Sequence, residues 1–312
     1  MHILVLGYSN IYKRKIEPIL SNSSYISLID YASISKSSEI EKKGKVGTIY
    51  NSYDEALIKS QATIVYITTT NNLHEALTIK SIKNKKHVLL DKPTLLSTQF
   101  FNEHRNFILN SNLCLSEVNV WSYHSQIAVL KTILKEKEAS LKHIRSTFCF
   151  PPFQAANFRN YNKFGGGAIN DLLPYFVSTA NEFFEETEIY NHQLNVIESN
   201  SEIDISICTS ISYKSGKSIV GFYSFNSQYT NRIELLSDKA NLTIDRAYTT
   251  PENLENTVYI NSNNKKEEHK VSADNTFLNY FSSVLNDIQR QKFNHHFQKL
   301  ENNSRVFNAL IA

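Results

Sequence analysis

Residues His87–Thr94 read HVLLDKPT, and this stretch decides how the rest of the chain is interpreted. Its first four residues have the aliphatic character of a buried parallel strand, and Asp91, Lys92 and Pro93 follow where that strand ends. In open α/β sheets, ligands bind at the carboxyl ends of the strands. The triplet therefore belongs to a ligand site, or it only ends the strand and helps to start a helix at Leu95–Leu109.

The chain before this stretch alternates short apolar segments with segments of helical spacing. Strands are predicted at Ile3–Leu6, Tyr25–Ala32, Val46–Tyr50 and Thr63–Ile67, and helices at Ile11–Leu20, Tyr53–Ser60 and Asn71–Lys83. Strands that are separated by helices of this length require right-handed crossovers. The pattern predicts an α/β fold with an N-terminal doubly wound parallel sheet of the Rossmann type.

Composition excludes several classes of protein. The 312 residues suffice for two domains, and 41% hydrophobic with 20% charged residues is typical of a globular chain. The net charge of +3 comes from 33 basic and 30 acidic residues without a basic block, so we expect no nucleic-acid partner. Three dispersed cysteines, no signal-peptide pattern in MHILVLGYSN and no long apolar run lead us to expect a cytoplasmic protein that does not enter a membrane.

The turn after the first strand holds only part of a dinucleotide-binding motif. Of the pattern G-x-G-x-x-G, only Gly7 is present, because Ser9 and Tyr12 stand where the second and third glycines would be. A small serine still permits close approach of a pyrophosphate, and Asn10 and Ile11 open the following helix. The next residues, Lys13 and Arg14, either add positive charge near a phosphate or are solvated surface residues.

The end of the second strand distinguishes NAD from NADP in this type of fold. If the strand ends at Ala32, the recognition loop runs from Ser33 to Lys36 and offers hydroxyls and a cation, which favours NADP. If the strand ends earlier, Asp30 becomes an acid that accepts from the ribose hydroxyl, which favours NAD. We predict NADP, with NAD as the open alternative.

Four motifs in the same order resemble the Gfo/Idh/MocA (glucose-fructose oxidoreductase/inositol dehydrogenase) family. Tyr66–Ser97 is similar to the family's central signature, with Thr70 in place of proline and Asp91 in place of glutamate. The other three matches are EVNVWSYH at Glu117–His124, FGGGAINDLLPY at Phe164–Tyr175 and IELLSDKANLTIDRAYTTPEN at Ile233–Asn253. The first turn is also similar to that of the sugar 3-ketoreductase members of the family.

The resemblance implies an NAD(P)-dependent oxidoreductase that acts on a keto or hydroxyl group of a sugar, often a nucleotide-linked sugar of surface-glycan or deoxysugar biosynthesis. Combined with the first turn and the second strand, it gives a set of residues that we expect at the cofactor. They are Gly7, Ser9, Asn10, Ile11, Ser33, Lys36, Thr68, Thr69, Asn71, His74, Asp91, Lys92 and Glu117. Within this set, we expect His74 to position the cofactor loop, and Glu117, together with Asn119, to line the nicotinamide pocket.

The resemblance also implies the catalytic residues. Most family members have a histidine four residues after the motif aspartate, and Tyr175 holds that position here, as in the sugar 3-ketoreductases. Tyr175 is then the proton donor, Lys92 holds the substrate hydroxyl and Asp171 orients the substrate or Lys92. Alternatively, Tyr175 is a core aromatic residue and Asp171 is a helix cap. Arg159 and Asn162 are candidates for contact with a substrate phosphate.

The remainder, from about Asn119, reads as a second, α+β domain for substrate binding and oligomerisation. We place the domain limits at 1–118 and 119–312. A helix at Ser125–Glu138 precedes strands at Leu141–Phe150, Tyr190–Glu198, Ile203–Tyr213, Ser218–Phe225, Asn231–Leu236 and Asn241–Ile244. Their alternating pattern predicts a large, mostly antiparallel open sheet, which in the family often mediates contact between subunits, so we expect a homodimer or homotetramer.

Two further predictions concern the end of the chain. Asn253–Lys266 reads as a solvated loop, and Phe277–Ile288 as the final amphipathic helix. His143, His192, His295 and His296 have no acid or cysteine at ligand spacing, so we interpret them as surface residues and predict no metal.

Two other functions stay open at this point. The reduced glycine motif is compatible with a non-catalytic dinucleotide sensor or scaffold of the same fold. A cofactor-recycling enzyme that processes glycosides is the third hypothesis.

Overall fold

The computed structural model describes residues 1–94, 96–184 and 186–312. The chain divides into two compact units. Met1–Asn119 and Phe277–Arg305 form the first unit, and Val120–Thr276 with Val306–Ala312 form the second.

The first unit contains a parallel sheet with the strand order β3-β2-β1-β4-β5-β6. The strands are β1 (His2–Leu6), β2 (Leu28–Ala32), β3 (Val46–Tyr50), β4 (Ile64–Ile67), β5 (His87–Asp91) and β6 (Leu115–Val118). Because the order reverses between β1 and β4, the turns after these two strands flank the crevice in which doubly wound folds bind dinucleotides. Val88, Leu89 and Leu90 of β5 are fully buried, as expected of an interior parallel strand.

Helices connect these strands. They are α1 (Glu17–Asn22), α2 (Tyr53–Lys59), α3 (His74–Lys83) and α4 (Thr98–Asn110). Ser97 caps α4 by accepting from the amide of Phe100, which places the helix start after the predicted Leu95. Leu95 itself lies outside the described residues.

The first helix is irregular at the position of the missing third glycine. A π-helical turn at Tyr12–Ile16 precedes α1, whereas the sequence predicts one continuous helix. The Tyr12 ring is fully buried and packs against Tyr8, Tyr31 and Tyr66. A large side chain therefore occupies the space in which a third glycine normally permits close packing of helix on strand.

The C-terminal helices α8 (Thr276–Gln289) and α9 (Asn294–Ile311) belong largely to the first unit. Tyr280 donates to Ser116 of β6 at 2.8 Å, and Phe297 packs against Phe101 of α4. The predicted helix at Phe277–Ile288 is present, but the expectation that it is the last one is wrong, because α9 follows it. The predicted limits of 1–118 and 119–312 treat each domain as one continuous segment, whereas this segment returns to the first unit.

The second unit is built on a sheet with the order β14-β13-β12-β11-β7-β10-β9-β8. Its strands are β7 (Leu141–Cys149), β8 (Ile189–Ser199), β9 (Asp204–Tyr213), β10 (Ser218–Ser224), β11 (Thr230–Ser237), β12 (Asn241–Asp245), β13 (Asn256–Ser262) and β14 (Lys265–Val271). Its helices are α5 (Ser125–Glu136), α6 (Ala168–Asp171) and α7 (Leu173–Phe183). All neighbouring strands pair antiparallel except β7 with β10.

The predicted loop at Asn253–Lys266 is wrong, because most of it forms a hairpin of β13 and β14. Asn263 and Asn264 both have positive φ, at 51° and 61°, as a two-residue type I′ turn requires. Six of the seven residues of β14 are exposed, so this strand shows no apolar and polar alternation from which a sequence pattern could identify it.

Together these units confirm the predicted fold class, a Rossmann-type parallel sheet plus an α+β unit with a large, mostly antiparallel sheet. No helix in the described part of the chain is both long and apolar enough to cross a membrane. The three cysteines carry free thiols.

Candidate active site

Gly7 follows β1 and has a backbone conformation that favours glycine. Its φ is +97°, and a Cβ at this position would lie 2.6 Å from the carbonyl oxygen of Thr68. The Gly7 amide donates to the carbonyl of Ala32 at 2.8 Å. The turns that follow β1, β2 and β4 are therefore held together at the carboxyl edge of the sheet.

Ser9, at the second glycine position, contributes to this edge through its hydroxyl. Ser9 Oγ lies 2.7 Å from Thr68 Oγ1 and accepts from the amide of Tyr12 at 3.1 Å, and Thr68 Oγ1 lies 3.4 Å from Asp91 Oδ2. Asn10 and Ile11 are exposed at the start of the helix. A chain of hydroxyl contacts thus connects the first turn with the end of β5.

The second strand ends at Ala32, so the recognition loop is Ser33–Lys36. Ser33 Oγ accepts from the Lys36 amide at 3.1 Å, and Lys36 Nζ lies 3.4 Å from Asn10 Oδ1 of the first turn. This arrangement places a lysine ammonium between the two loops that contact the ribose and phosphates of a dinucleotide in such folds.

Asp30 is not available to a ribose, because its carboxylate is buried and already bonded inside β2. Oδ1 accepts from the Thr48 amide at 2.8 Å, and Oδ2 accepts from Ser60 Oγ at 2.6 Å and lies 2.9 Å from His2 Nε2. His2 begins β1 and Ser60 precedes β4, so these contacts lie toward the amino ends of the strands. The geometry therefore supports the NADP interpretation of the second strand.

Lys13 and Arg14 are exposed on the first helical turn. Lys13 Nζ lies 3.9 Å from Glu39 Oε2, and Arg14 Nε donates to the carbonyl of Asn10 at 3.3 Å. These contacts do not distinguish between the two predicted roles of Lys13 and Arg14, as solvated surface residues or as residues that contact a phosphate.

His74 connects the loop after β4 with the end of β5. Its Nδ1 lies 2.6 Å from the carbonyl oxygen of Pro93, which follows a cis Lys92–Pro93 peptide bond, and its Nε2 lies 3.3 Å from the carbonyl of Thr69. The shorter distance indicates that Nδ1 carries the proton. Burial lowers the pKa of His74 to about 4, so the ring is neutral at pH 7 and is held between two carbonyls. This geometry supports a positioning role rather than proton transfer.

Asp91 and Lys92 lie at the carboxyl end of β5, both half-buried. Asp91 Oδ1 accepts from the Lys92 amide at 3.0 Å. Burial raises the pKa of Asp91 to about 6, and the Lys92 ammonium opposes this rise. Asn71, which follows β4 in the same region, is buried. Ser9, Thr68, His74, Asp91 and Pro93 are called the cofactor-side cluster below.

Glu117 lies on β6, paired with Leu90 of β5. Burial raises the pKa of its carboxyl group, and a hydrogen bond from Asn303 of α9 at 3.2 Å opposes the rise. Asn119, at the end of the first unit's N-terminal segment, is buried. The role of Asn303 could not be predicted from the sequence, because it depends on the return of the C-terminal helices to the first unit.

In the second unit, the glycine segment forms a tight turn before α6. Gly165 and Gly167 have φ of 74° and 98°. A Cβ on Gly166 would lie 2.4 Å from the carbonyl oxygen of Arg159, and one on Gly167 would lie 2.5 Å from Asp204 Oδ1. Gly166 and Gly167 therefore leave no room for a Cβ, and Gly165 has a positive φ that favours glycine. The Asn162 carbonyl accepts from the Gly165 amide in the same turn.

Asp171 is buried at the last position of α6, so it is not the N-cap of that helix. Its Oδ2 accepts from Arg159 Nε at 2.8 Å. The Arg159 guanidinium also lies over the rings of Phe158 and Phe153, with its carbon 4.6 and 5.5 Å from the ring centroids. The structure thus joins two residues for which the sequence predicts separate roles.

Tyr175 lies in the first turn of α7 and is half-buried. Its ring packs edge-on against Phe148 and at a tilt against Tyr248, with centroids 5.0 Å away in both cases. The Tyr248 hydroxyl lies 2.6 Å from Ser146 Oγ and 2.8 Å from Thr179 Oγ1, which donates to the Tyr175 carbonyl. We call Tyr175, Phe148 and Tyr248 the tyrosine cluster.

Part of this cluster could not be recognised from the sequence. Tyr248 falls within the fourth motif but carries no signal that separates it from neighbouring residues. Its hydroxyl is fully buried, and burial raises its pKa to about 12. Tyr248 therefore stays protonated and supports the Tyr175 ring.

The expectation that the histidine pair lies on the surface is wrong for His296, which is buried. Asp287 of α8 lies 3.0 Å from His296 Nε2 and 3.5 Å from His295 Nε2, so an acidic partner is present. Among the other two, His192 is exposed, and His143 is half-buried with Nδ1 2.8 Å from Ser218 Oγ.

Three features of the first unit suit a dinucleotide: its strand order, the glycine turn at Gly7 and the Lys36 ammonium beside Asn10. Comparison with known proteins agrees. Residues 1–117 match the family model described as an oxidoreductase family with an NAD-binding Rossmann fold.

Curated relatives match at low identity. A dTDP-3,4-didehydro-2,6-dideoxy-alpha-D-glucose 3-reductase from Saccharopolyspora spinosa is 22% identical over 238 residues, which cover 76% of this chain and 72% of the relative. A protein of the same description from Streptomyces violaceoruber is 22% identical over 254 residues, covering 80% of this chain and 74% of the relative.

Solved structures match the whole chain. The 3-ketoreductase KijD10 from Actinomadura kijaniata, in complex with NADP and TDP-benzene, has a TM-score of 0.91 at 18% identity and covers 100% of this chain and 97% of its own. The UDP-N-acetylglucosamine 3-dehydrogenase GnnA from Acidithiobacillus ferrooxidans has a TM-score of 0.80 at 13% identity, with coverage of 100% and 96%. At these identities the likeness establishes the fold. The family is carried by residues 1–117, which match the NAD-binding Rossmann domain of the Gfo/Idh/MocA oxidoreductase family, as the sequence motifs predict.

Proposed function

We propose that this protein is an NADPH-dependent reductase of a keto group on a nucleotide-linked sugar. The observation that carries the proposal is Tyr175, a half-buried phenol in the first turn of α7, four residues after the buried Asp171 of the glycine motif. The relatives support the substrate class, because they are 3-reductases of dTDP-linked deoxysugars and a 3-ketoreductase bound to NADP and a TDP compound.

Reduction of a ketone adds a hydride to carbon and a proton to oxygen. The nicotinamide supplies the hydride when it is bound. Tyr175 donates its phenolic proton to the oxygen as negative charge develops there, and the phenolate then recovers a proton from solvent. A phenol with an ordinary pKa near 10 is protonated at pH 7 and is acidic enough to protonate an alkoxide.

Lys92 binds the reacting hydroxyl or carbonyl oxygen through its ammonium and stabilises the charge that develops on it. Its place at the carboxyl end of β5, where open α/β sheets bind ligands, supports this role. His74 holds the loop that carries Thr69 against Pro93 and so fixes the backbone next to Lys92.

Asp171 orients Arg159, and the Arg159 guanidinium binds the substrate. The carboxylate fixes Nε of the guanidinium, and two phenylalanine rings flank its plane. A guanidinium that is oriented in this way is well suited to bind a phosphate of a nucleotide-linked substrate.

NADP preference is assigned to Lys36 and Ser33. A lysine ammonium beside Asn10 and a buried serine hydroxyl suit a 2′-phosphate, whereas the buried contacts of Asp30 remove the acid that selects NAD. We expect Lys36→Ala to raise the Kd of NADPH about tenfold, the loss of one charge-assisted hydrogen bond, while the Kd of NADH stays unchanged. Titration of both cofactors tests this, with the exposed Lys42→Ala as the matched control, and an equal loss for both cofactors contradicts the assignment.

The activity is tested with purified protein, NADPH and a dTDP-linked 3-keto-deoxysugar, by the loss of NADPH absorbance and by identification of the alcohol product. The corresponding sugar without the nucleotide is the comparison substrate. We expect reduction of the nucleotide-linked sugar and at least a tenfold lower kcat/KM without the nucleotide. Absence of NADPH binding in calorimetry would instead support a sensor or scaffold, and product formation without net NADPH consumption would support a cofactor-recycling enzyme.

We propose that the protein acts in the cytoplasm as a homodimer or homotetramer that forms through the second sheet. Large apolar side chains are exposed on its strands, namely Tyr190, Val196, Ile197, Val220 and Tyr259. Three of them, Tyr190, Val196 and Ile197, lie on the edge strand β8, and contiguous apolar surface is typical of protein contacts. Light scattering of the wild type and of Ile197→Lys tests this, because we expect the variant to shift toward the monomer.

A further inference from the structure

The junction of α8 and α9 brings two histidines and an aspartate together, outside the residues assigned to reduction. His295 Nε2 and His296 Nε2 lie 3.5 and 3.0 Å from the same oxygen, Asp287 Oδ2. The three ligand atoms all lie within 4.8 Å of one another. All three residues belong to the first unit.

The backbone of the junction produces this convergence. Gln291 adopts a positive φ of 56°, its amide donates to Ile288, and the Lys292 amide donates to the Asp287 carbonyl at 2.9 Å. These two bonds form a Schellman turn, in which Asp287 is the third residue from the end of the helix. Phe293 then anchors the chain against His87, and the two histidines open α9 facing Asp287.

We propose that Asp287, His295 and His296 form a binding site for a divalent transition metal ion of the zinc, cobalt or nickel class. Two imidazole nitrogens and one carboxylate oxygen are a ligand set that these ions accept. Metal–ligand bonds of about 2.0–2.2 Å to each atom are compatible with the observed spacing between the ligand atoms. Calcium and magnesium are excluded as preferred ions, because they take oxygen ligands.

Access to the site fits the same assignment. The side chains of His295 and Asp287 are 62% and 19% exposed, whereas that of His296 is 2% exposed. One ligand is thus fixed in the core, and the open side lets solvent complete the coordination shell. Lys299 lies one turn further along α9 and repels a cation, so the ion is held by coordination bonds and not by overall negative charge.

The bound ion would link the end of α8 to the start of α9. This matters for the proposed reductase because α9 carries Asn303, which donates to Glu117 of β6. The ion would therefore stabilise the helix that orients Glu117, without contact to the reacting atoms. This last consequence rests on the proposed function, whereas the metal site does not.

Calorimetric titration of Zn²⁺ into chelator-treated, full-length protein without an affinity tag tests the site. We expect one ion per chain in the wild type, with a rise in Tm that saturates at one equivalent. Asp287→Asn and His295→Ala should weaken binding at least tenfold, and the matched control His192→Ala, which alters an exposed histidine of the second unit, should not. His295→Ala removes an exposed side chain, so its fold is expected to persist.

Absence of Zn²⁺ binding to the wild type overturns the proposal, and so does equal affinity in His295→Ala. Visible absorption of the Co²⁺-loaded protein supplies a second readout, because imidazole ligands produce bands that differ from those of hydrated Co²⁺. The proposal would also be overturned if Asp287→Asn and His295→Ala both retained these Co²⁺ bands. Each of these readouts is independent of NADPH oxidation, so failure of the reductase assay leaves the result interpretable.

Discussion

The cofactor-side cluster and the tyrosine cluster are held in place by different interactions. In the first, short polar side chains at the ends of β1, β4 and β5 bond to one another and to backbone carbonyls, as in Ser9 with Thr68 and His74 with Pro93. In the second, aromatic rings from β7 and from the segment after β12 pack against Tyr175 of α7, and Asp171, four residues before Tyr175, pairs with Arg159.

This difference has a chemical meaning. Hydrogen bonds fix a backbone that binds the same cofactor in every turnover, and they depend on direction and distance. Ring packing surrounds a phenol with low-polarity groups, which strengthens the electrostatic effect of a nearby charge. Variants of each cluster should therefore fail in different assays.

The largest loss of stability is expected from Asp171→Asn. The variant leaves the Arg159 guanidinium without its carboxylate, and breaking a buried pair in this way costs about 3 kcal/mol, the lower end of the usual range, because Arg159 keeps some contact with solvent. Urea denaturation measures this cost, and NADPH titration should show an unchanged Kd.

The matched control is Asp245→Asn, which breaks the exposed Arg232–Asp245 pair. Exposed pairs contribute about 0–1 kcal/mol, so this variant should stay close to the wild type. An equal loss in the free energy of unfolding for Asp171→Asn and Asp245→Asn would show that burial does not make the Arg159–Asp171 pair more stabilising than an exposed pair.

Gly7→Ala should act on the cofactor side instead. The residue has positive φ, and its Cβ would meet the Thr68 carbonyl at 2.6 Å, so we expect a loss of about 1–3 kcal/mol from backbone strain and at least tenfold weaker NADPH binding. Gly44→Ala is the matched control, because Gly44 also has a positive φ, 59°, but no atom lies within 4 Å of a Cβ at that position. If Gly44→Ala weakened NADPH binding as much, the turn at Gly7 would have no special role.

The two clusters also differ in how far the sequence revealed them. Ser9 and Asp91 follow predicted strands, and the family resemblance adds Thr68 and His74, so the sequence places these four residues at one edge of the sheet. The tyrosine cluster combines residues 148, 175 and 248, and only Tyr175 belongs to a motif that specifies its role. Long-range packing of this kind has no local sequence signal.

The errors have similar physical origins. The sequence does not predict α9, because residues 294–311 are largely polar. Neither its return to the first unit nor the approach of Asp287 to His296 depends on local sequence pattern. The sequence predicts a loop in place of the hairpin of β13 and β14, because the outer strand of this hairpin is solvated on both faces. The choice between Asp30 and Ser33 depended on where β2 ends, and element boundaries are the least certain feature of sequence patterns.

A smaller effect is expected from the pH dependence of His74. The pKa of His74 is lowered from 6.5 to about 4. The contribution of the neutral ring to the free energy of unfolding is therefore complete above pH 6.5, and it is lost as the pH falls toward 4. Between pH 7.5 and 5.5 the contribution is about 1 kcal/mol. His74→Gln should reduce the pH dependence of the free energy of unfolding by that amount.

His296 has a pKa near 4 for a similar reason, so part of the pH dependence should persist in His74→Gln. Urea denaturation of metal-free wild type and of metal-free His74→Gln at pH 7.5 and 5.5 measures this pH dependence. An unchanged difference between the pH values in His74→Gln would contradict a neutral, buried His74.

Single-turnover reduction by Tyr175→Phe tests the central claim most directly. The substitution keeps the ring that packs on Phe148 and Tyr248 and removes only the proton that the account assigns to the substrate oxygen. With NADPH and the keto-sugar nucleotide, we predict a rate of reduction about 10²–10⁴-fold lower, with the Kd of NADPH unchanged and with wild-type rates in the exposed Tyr190→Phe control. Reduction by Tyr175→Phe at the wild-type rate would show that Tyr175 is not the proton donor.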